Sequence, residues 1–229
     1  MSGEREPRQR AEGEFIAQAA PGGTAIVSPI DYGHVRPAPV DAAVLEEARR
    51  VLRELPLDRV PNPDGLPAAS KAPPMRPNPL LVGREENLKD LAAKVKDDAK
   101  GPPTVVVSGL GGVGKPQLAG EFAHRYGRYF LGGVYWLNLS DPASIAEEVA
   151  RCGGMEGMDL RGDFHLLPLE ERFGAVMAQW HSELPRLLVL DDCADGRTLE
   201  ASRPTAGGCR VLVTSRGPIV HWAHGPASP

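Results

Sequence analysis

The sequence predicts an α/β fold: a parallel sheet flanked by helices, preceded by a proline-rich, partly disordered N-terminal extension. Three observations carry this reading. Beyond about residue 84, short apolar runs alternate with amphipathic stretches of helical period, the pattern of a parallel sheet covered on both faces. One such run, PTVVVSG (103–109), passes directly into the glycine-rich GLGGVGK (109–115) and then into a helical stretch. Thirteen of the 23 prolines precede residue 80, so regular structure is expected mainly after them.

Residues 1–40 show no sustained period apart from a short apolar run at Thr24–Val27 that could form a strand. Residues 41–55 predict a helix with Asp41 as N-cap and with Val44, Leu45, Ala48, Val51, Leu52 and Leu55 on one face. A lone amphipathic helix cannot bury its own stripe, so this one must dock elsewhere or stay loosely formed. The stretch 56–79 (PLDRVPNPDGLPAASKAPPMRPNP) predicts an extended linker. A helix over 84–98 turns Leu88, Leu91, Ala92 and Val95 inward. The β-branched run at 103–109 is a buried parallel strand. A helix over about 115–127 follows, then the strand GVYWLNL (133–139) and a helix over 142–151 capped by Asp141. Residues 152–167 predict a loop, 168–183 a helix, and RLLVLDD (186–192) and GCRVLVTSR (208–216) the last two strands.

Composition excludes several function classes. With 26 Lys and Arg against 30 Asp and Glu, the net charge of −4 gives no field to gather nucleic acid or an anionic membrane. Cys152, Cys193 and Cys209 are scattered without a CxxC pair, which fits reduced thiols better than a disulfide framework. The N-terminal MSGEREPRQR lacks the apolar run of a signal peptide. No stretch approaches the ~18 continuous apolar residues of a membrane span. The expectation is a soluble, cytoplasmic protein.

The chemistry-bearing motif is GLGGVGKPQLA (109–119). Gly109, Gly114 and Lys115 have the Gly-x-x-x-x-Gly-Lys spacing of a phosphate-binding loop, a weak signal alone. A buried strand before it and a helix after it are the context that mechanism needs: glycine N–H groups close around a phosphate and the helix N-terminus favours its charge. LLVLDD (187–192) is an apolar strand ending in two carboxylates, suited to orient a hydrated Mg²⁺ and a water, or simply to cap the following turn. VLVTSR (211–216) ends in Thr214, Ser215 and Arg216; the arginine could face a γ-phosphate, or be a solvated loop residue. All three motifs fall at C-terminal strand ends, where open α/β sheets bind ligands.

VSGLGGVGK, RLLVLDD and CRVLVTSR, in this order and spacing, resemble the NB-ARC domain, a STAND-class P-loop NTPase. That domain occurs in apoptotic-protease activators, plant disease-resistance proteins and many multidomain bacterial regulators. NPLLVGREENLKDLAAKV (78–95) is similar to the family's opening segment, and YWLNL (135–139) to the strand after its first helix. The resemblance divides the chain into an N-terminal extension and linker (1–77), an NB-ARC-like domain (78–217) and a disordered tail (218–229). It implies a nucleotide-binding signalling switch that holds ADP at rest and exchanges it for ATP, with self-association or protein partners. By motif match, Val82, Gly83 and Arg84 close over the adenine, and Gly109, Gly111, Gly112, Val113, Gly114, Lys115, Pro116 and Gln117 hold the phosphates. Asp191 is the Mg²⁺ ligand, Asp192 the water-orienting acid and Arg216 a sensor. The Gly-Leu-Pro-Leu and Met-His-Asp motifs of the family's later parts do not occur in these 229 residues. His221 and His224 stand three apart and make no metal site by themselves.

Pro116 occupies the position where the family carries Ser or Thr. It removes one amide donor and the hydroxyl that would bind Mg²⁺ directly, and it disfavours the α conformation for Lys115. The expectation is weak nucleotide binding, with ADP bound at least as well as MgATP, and little hydrolysis. Two alternatives are an active P-loop ATPase or small-molecule kinase, and an interaction fragment that no longer binds nucleotide. A kinase would need a lid with arginines, and Arg151, Arg161 and Arg172 are spread widely around the 152–167 loop.

Overall fold

Four short apolar runs find one another as a parallel sheet: β1 (Thr104–Ser108), β2 (Val134–Asn138), β3 (Arg186–Asp191) and β4 (Cys209–Ser215). The computed structural model describes residues 36–78, 80, 82–97, 103–109 and 114–216. The strands lie in the order β1-β4-β3-β2, every neighbouring pair parallel. The chain therefore crosses the whole sheet from β1 to β2 and returns through β3 to β4. Right-handed crossovers running in opposite directions place their helices on opposite faces. α3 (Lys115–Tyr126) accordingly packs on one face together with α1 (Ala42–Arg53) and α2 (Glu85–Lys96). α4 (Ile145–Arg151), α5 (Leu169–Trp180) and α6 (Gly196–Ser202) pack on the other. β3 and β4 are almost wholly buried, as strands covered on both faces must be.

Most elements begin and end within two or three residues of their predicted bounds, and the caps explain why. Asp41 accepts from the amides of Ala43 (2.9 Å) and Val44 (3.2 Å) to start α1. Asp141 accepts from Ala143 (3.0 Å) and opens a 3-10 turn at Pro142–Ser144, which delays α4 to Ile145. α6 is not among the sequence-predicted elements; Asp195 caps it through the Thr198 amide (2.8 Å). The 152–167 loop is folded on itself, with a 3-10 turn at Phe164–Leu166 that buries Phe164.

α1 docks by its C-terminal half. Ala48, Leu52 and Leu55 are buried, whereas Val44, expected on the same face, is 51% exposed. Residues 56–78 contain no helix but lie against the body of the protein. Lys71 pairs in parallel with Tyr135 on the outer side of β2, and the amides of Trp136 and Val134 donate to Lys71 O (3.0 Å) and Ser70 Oγ (2.9 Å). One sheet edge is thereby covered. The three cysteines are buried and free, and no helix among the described residues is long and apolar enough to cross a membrane. The Thr24–Val27 run, Gly111, Gly112, Val113 and the tail with His221 and His224 lie outside the described residues.

Candidate functional site

The connection from β1 to α3 lies at the carboxyl edge of the sheet, where the strand order reverses between β1 and β4, the usual ligand crevice of open α/β sheets. Gly114, the N-cap of α3, has φ 77°, a left-handed conformation that glycine takes without a Cβ penalty. Lys115 follows as the first helical residue, so the bias that Pro116 imposes on its predecessor is overridden by the helix. The Lys115 side chain is buried, and its ammonium donates to Gly109 O at 2.7 Å, tying the two ends of the turn together. Pro116 stands in the first helical turn, where its missing amide costs the helix nothing. Gln117 turns its side chain along the helix, Nε2 donating to Glu121 Oε1 at 3.1 Å.

The segment before α2 approaches this turn. Gly83 has φ 75°, and Arg84 N-caps α2 with its guanidinium against Gly114, where a Cβ would stand 3.8 Å from Arg84 Nη2. Val82 is 84% and Leu80 81% exposed. Through Arg84, the Val82–Gly83 segment lies on the same side of the molecule as Lys115, with the Val82 side chain turned to solvent.

On the neighbouring strands the structure brings Asp191, Asp192, Thr214 and Arg216 together. Thr214 Oγ1 donates to Asp191 Oδ1 (2.5 Å) and accepts from the Asp192 amide (2.9 Å), so one buried hydroxyl orients both acids. Asp192 takes a left-handed conformation, φ 57°, a strained backbone of the kind that concentrates at functional sites. Its Oδ2 accepts from Arg216 Nη2 at 2.6 Å. Burial pushes the Asp191 carboxyl above its ordinary pKa, the Thr214 hydrogen bond opposes this, and the neighbouring Asp192 charge adds to it. β4 stands between β1 and β3, so Asp191 lies two strand spacings, about 10 Å, from the end of β1. That is room for a phosphate group and a solvated ion rather than for direct contact.

The donor set fits a phosphate: a left-handed glycine, a buried lysine, the start of a helix and a guanidinium beside it. It fits a directly bound Mg²⁺ poorly, because Pro116 brings no hydroxyl and Asp191 Oδ1 is engaged by Thr214. Among the described residues no three His, Cys, Asp or Glu side chains converge to hold a metal. A depression of about 330 Å³ lined by Arg59, Asp64 and Arg128 lies elsewhere, beside the far end of α3, about 18 Å away along the helix. Not among the sequence candidates are Glu121 and Arg125, buried charges on α3 joined at 3.0 Å. Their signal is an i, i+4 spacing that more commonly marks an exposed helix pair.

No protein-family model matches the chain. A regulatory protein, AfsR, of Streptomyces griseus is 31% identical over 152 residues, 63% of this chain and 15% of that protein. A probable disease resistance protein of Arabidopsis thaliana is 27% identical over 144 residues, 60% of this chain and 16% of that protein. The chain spans about one sixth of the length of these relatives.

Proposed function

We propose that this chain carries an adenine-nucleotide-binding regulatory module of the NB-ARC type, one that takes ADP at least as well as MgATP and hydrolyses ATP weakly. The observation that carries the reading is the junction of β1 and α3: a left-handed Gly114, a buried Lys115 reaching back to Gly109, and Arg84 against the same turn. The acidic pair at the end of β3 and Arg216 at the end of β4 face the same carboxyl edge. The two relatives add support, since their names belong to the two kinds of protein, bacterial regulators and plant resistance proteins, in which such domains occur.

In this reading Lys115, the first-turn amides of α3 and Arg84 bind the diphosphate. Val82 and Gly83 lie along the adenine. Asp191 would orient a hydrated Mg²⁺, which when bound neutralises the terminal phosphates. Asp192 would hold a water, and Arg216 would read the γ-phosphate. Pro116 withholds one amide and the hydroxyl ligand, so the diphosphate is favoured over the metal-loaded triphosphate. Self-association or a protein partner would read the resulting state.

The test is the nucleotide content of the purified protein, followed by calorimetry with ADP and with MgATP. Bound ADP, and loss of affinity in Lys115→Ala, are expected. Micromolar Mg²⁺-dependent ATP binding with turnover would refute the weak-hydrolysis part. Absence of any thermal stabilisation by ADP would favour an interaction fragment instead, because a ligand selective for the folded state must raise its stability.

A further inference from the structure

α3 begins at the phosphate turn, where Lys115 reaches back to Gly109 O, yet its polar side chains from Glu121 onward face away from that turn. They grip the proline-rich stretch instead. Arg125 donates from Nη1 to Pro61 O (3.0 Å) and from Nη2 to Asn78 O (2.9 Å), so one buried guanidinium staples both ends of the 61–78 segment. Glu121, wholly buried, neutralises Arg125 through Nε (3.0 Å) and also accepts from the Asn78 amide. His124 Nε2 pairs with Met75 O at 2.8 Å, and Tyr126 donates to Arg59 O at 3.3 Å.

Glycines shape the seat. A Cβ on Gly120 would meet Met75 Sδ at 2.6 Å, and one on Gly127 would meet Leu66 Cδ2 at 2.6 Å. The strap is thus fitted to notches in α3 and its end, and Lys71 ties its middle to the edge of β2. Six prolines between residues 61 and 78 limit the conformations the strap could take if released.

Glu121 faces both ways. The same Oε1 that accepts from Asn78 also accepts from Gln117 Nε2 (3.1 Å), and Gln117 sits in the first turn of α3 directly after Pro116. Asn78 leads within a few residues to Val82, Gly83 and Arg84. We propose that Glu121 is a positioning residue that, with Arg125, couples the phosphate turn to the adenine-covering segment by holding the strap 61–78 in register with α3. The coupling rests on the nucleotide-binding reading above. It gives the strap a role in affinity: an unseated strap withdraws Val82 and Gly83 from the base, while Arg84, held as the N-cap of α2 with Leu88 N–H donating to its carbonyl (3.0 Å), stays beside the phosphate.

The test compares ADP with inorganic pyrophosphate on the full chain, by calorimetry, together with hydrogen exchange of residues 61–78. Glu121→Leu combined with Arg125→Met removes both buried charges together, which leaves none uncompensated. Gly120→Leu unseats Met75 without touching either charge. In both variants ADP affinity should fall about ten-fold, the worth of one well-placed hydrogen bond. Pyrophosphate affinity should stay unchanged and strap amides should exchange faster. A general loss of stability would weaken both ligands alike, and that result would overturn the assignment. So would unchanged ADP affinity beside faster strap exchange, which would make the strap structural only. A wild-type protein that binds neither ligand would remove the nucleotide reading and this inference with it. Wild-type binding of both, abolished by Lys115→Ala, would keep the former whatever the strap variants do.

Discussion

Replacing Pro116 by Thr should move stability in opposite directions with and without ligand. Pro116 lies in the first turn of α3, where Leu118 N–H already donates to Gly114 O (2.9 Å) and the Gln117 amide is the next along. Threonine adds one amide beside that of Gln117. A hydrogen bond to a charged group contributes about 1.5–3 kcal/mol, and each 1.4 kcal/mol is ten-fold. ADP affinity in EDTA should therefore rise about 10- to 150-fold. The new hydroxyl acts only when the metal is present, so Mg²⁺ should tighten nucleotide binding in the variant more than in the parent. Without ligand the variant loses the proline's restriction of the unfolded chain, worth about 0.4–1 kcal/mol, and Tm should drop by roughly 1–4 °C for a chain of this size. Calorimetry in EDTA and in Mg²⁺, with thermal melts with and without ADP, reads all of this. Equal affinities under both conditions would show that the first turn of α3 is not where phosphate binds.

Arg125→Met alone leaves the fully buried Glu121 carboxylate without its partner; urea denaturation should show a loss of about 3–5 kcal/mol, largely recovered when Glu121→Leu is added. Asp191 has a folded-state pKa above its ordinary 3.8 through burial, so its charge costs stability at neutral pH and that cost fades as pH falls through the raised value toward 3.8. Asp191→Asn should therefore raise Tm at pH 7, with the gain vanishing in acid, while Mg²⁺-dependent binding is lost; a lowered Tm at pH 7 would contradict it. Burial pushes the thiols of Cys152 and Cys209 up to about 12 and that of Cys193 to about 11, so none should react with a thiol reagent at pH 8 until the protein is unfolded.

Legibility tracked how local each determinant is. β1, the glycine turn and the start of α3 are contiguous, so composition, spacing and helix entry could be read together. The same holds for the acids that end β3 and for Thr214 and Arg216 at the end of β4. α6 escaped because its seven residues hold two helical turns at most and one buried leucine, Leu199, too little for a period to show. The seat of the strap was illegible for a different reason. Proline density says that 56–78 is extended, but extended chain can be free or docked. What docks it is a set of partners 43 to 64 residues away, Glu121 with Asn78 and Arg125 with Pro61. Glycine at positions 120 and 127 carries no periodic signal, since its contribution is the absence of a side chain where Met75 and Leu66 arrive.

The ion pair between Asp192 and Arg216 bears on how a ligand would enter the proposed site. Arg216 is 77% exposed while Asp192 is 25% exposed, so water screens the pair from the arginine's side. Exposed pairs of this kind contribute about 0–1 kcal/mol. Drawing Arg216 from Asp192 to an arriving phosphate thus costs less than the ~1.5–3 kcal/mol that a hydrogen bond to a charged group returns. The acid is held more firmly, because Thr214 Oγ1 accepts the Asp192 amide and Cys193 N–H donates to Thr214 O (2.9 Å). On the proposed reading, then, the arginine is the member of the pair that moves and the acid is the fixed one. The left-handed backbone at Asp192 is tied to β4 through the Thr214 hydroxyl.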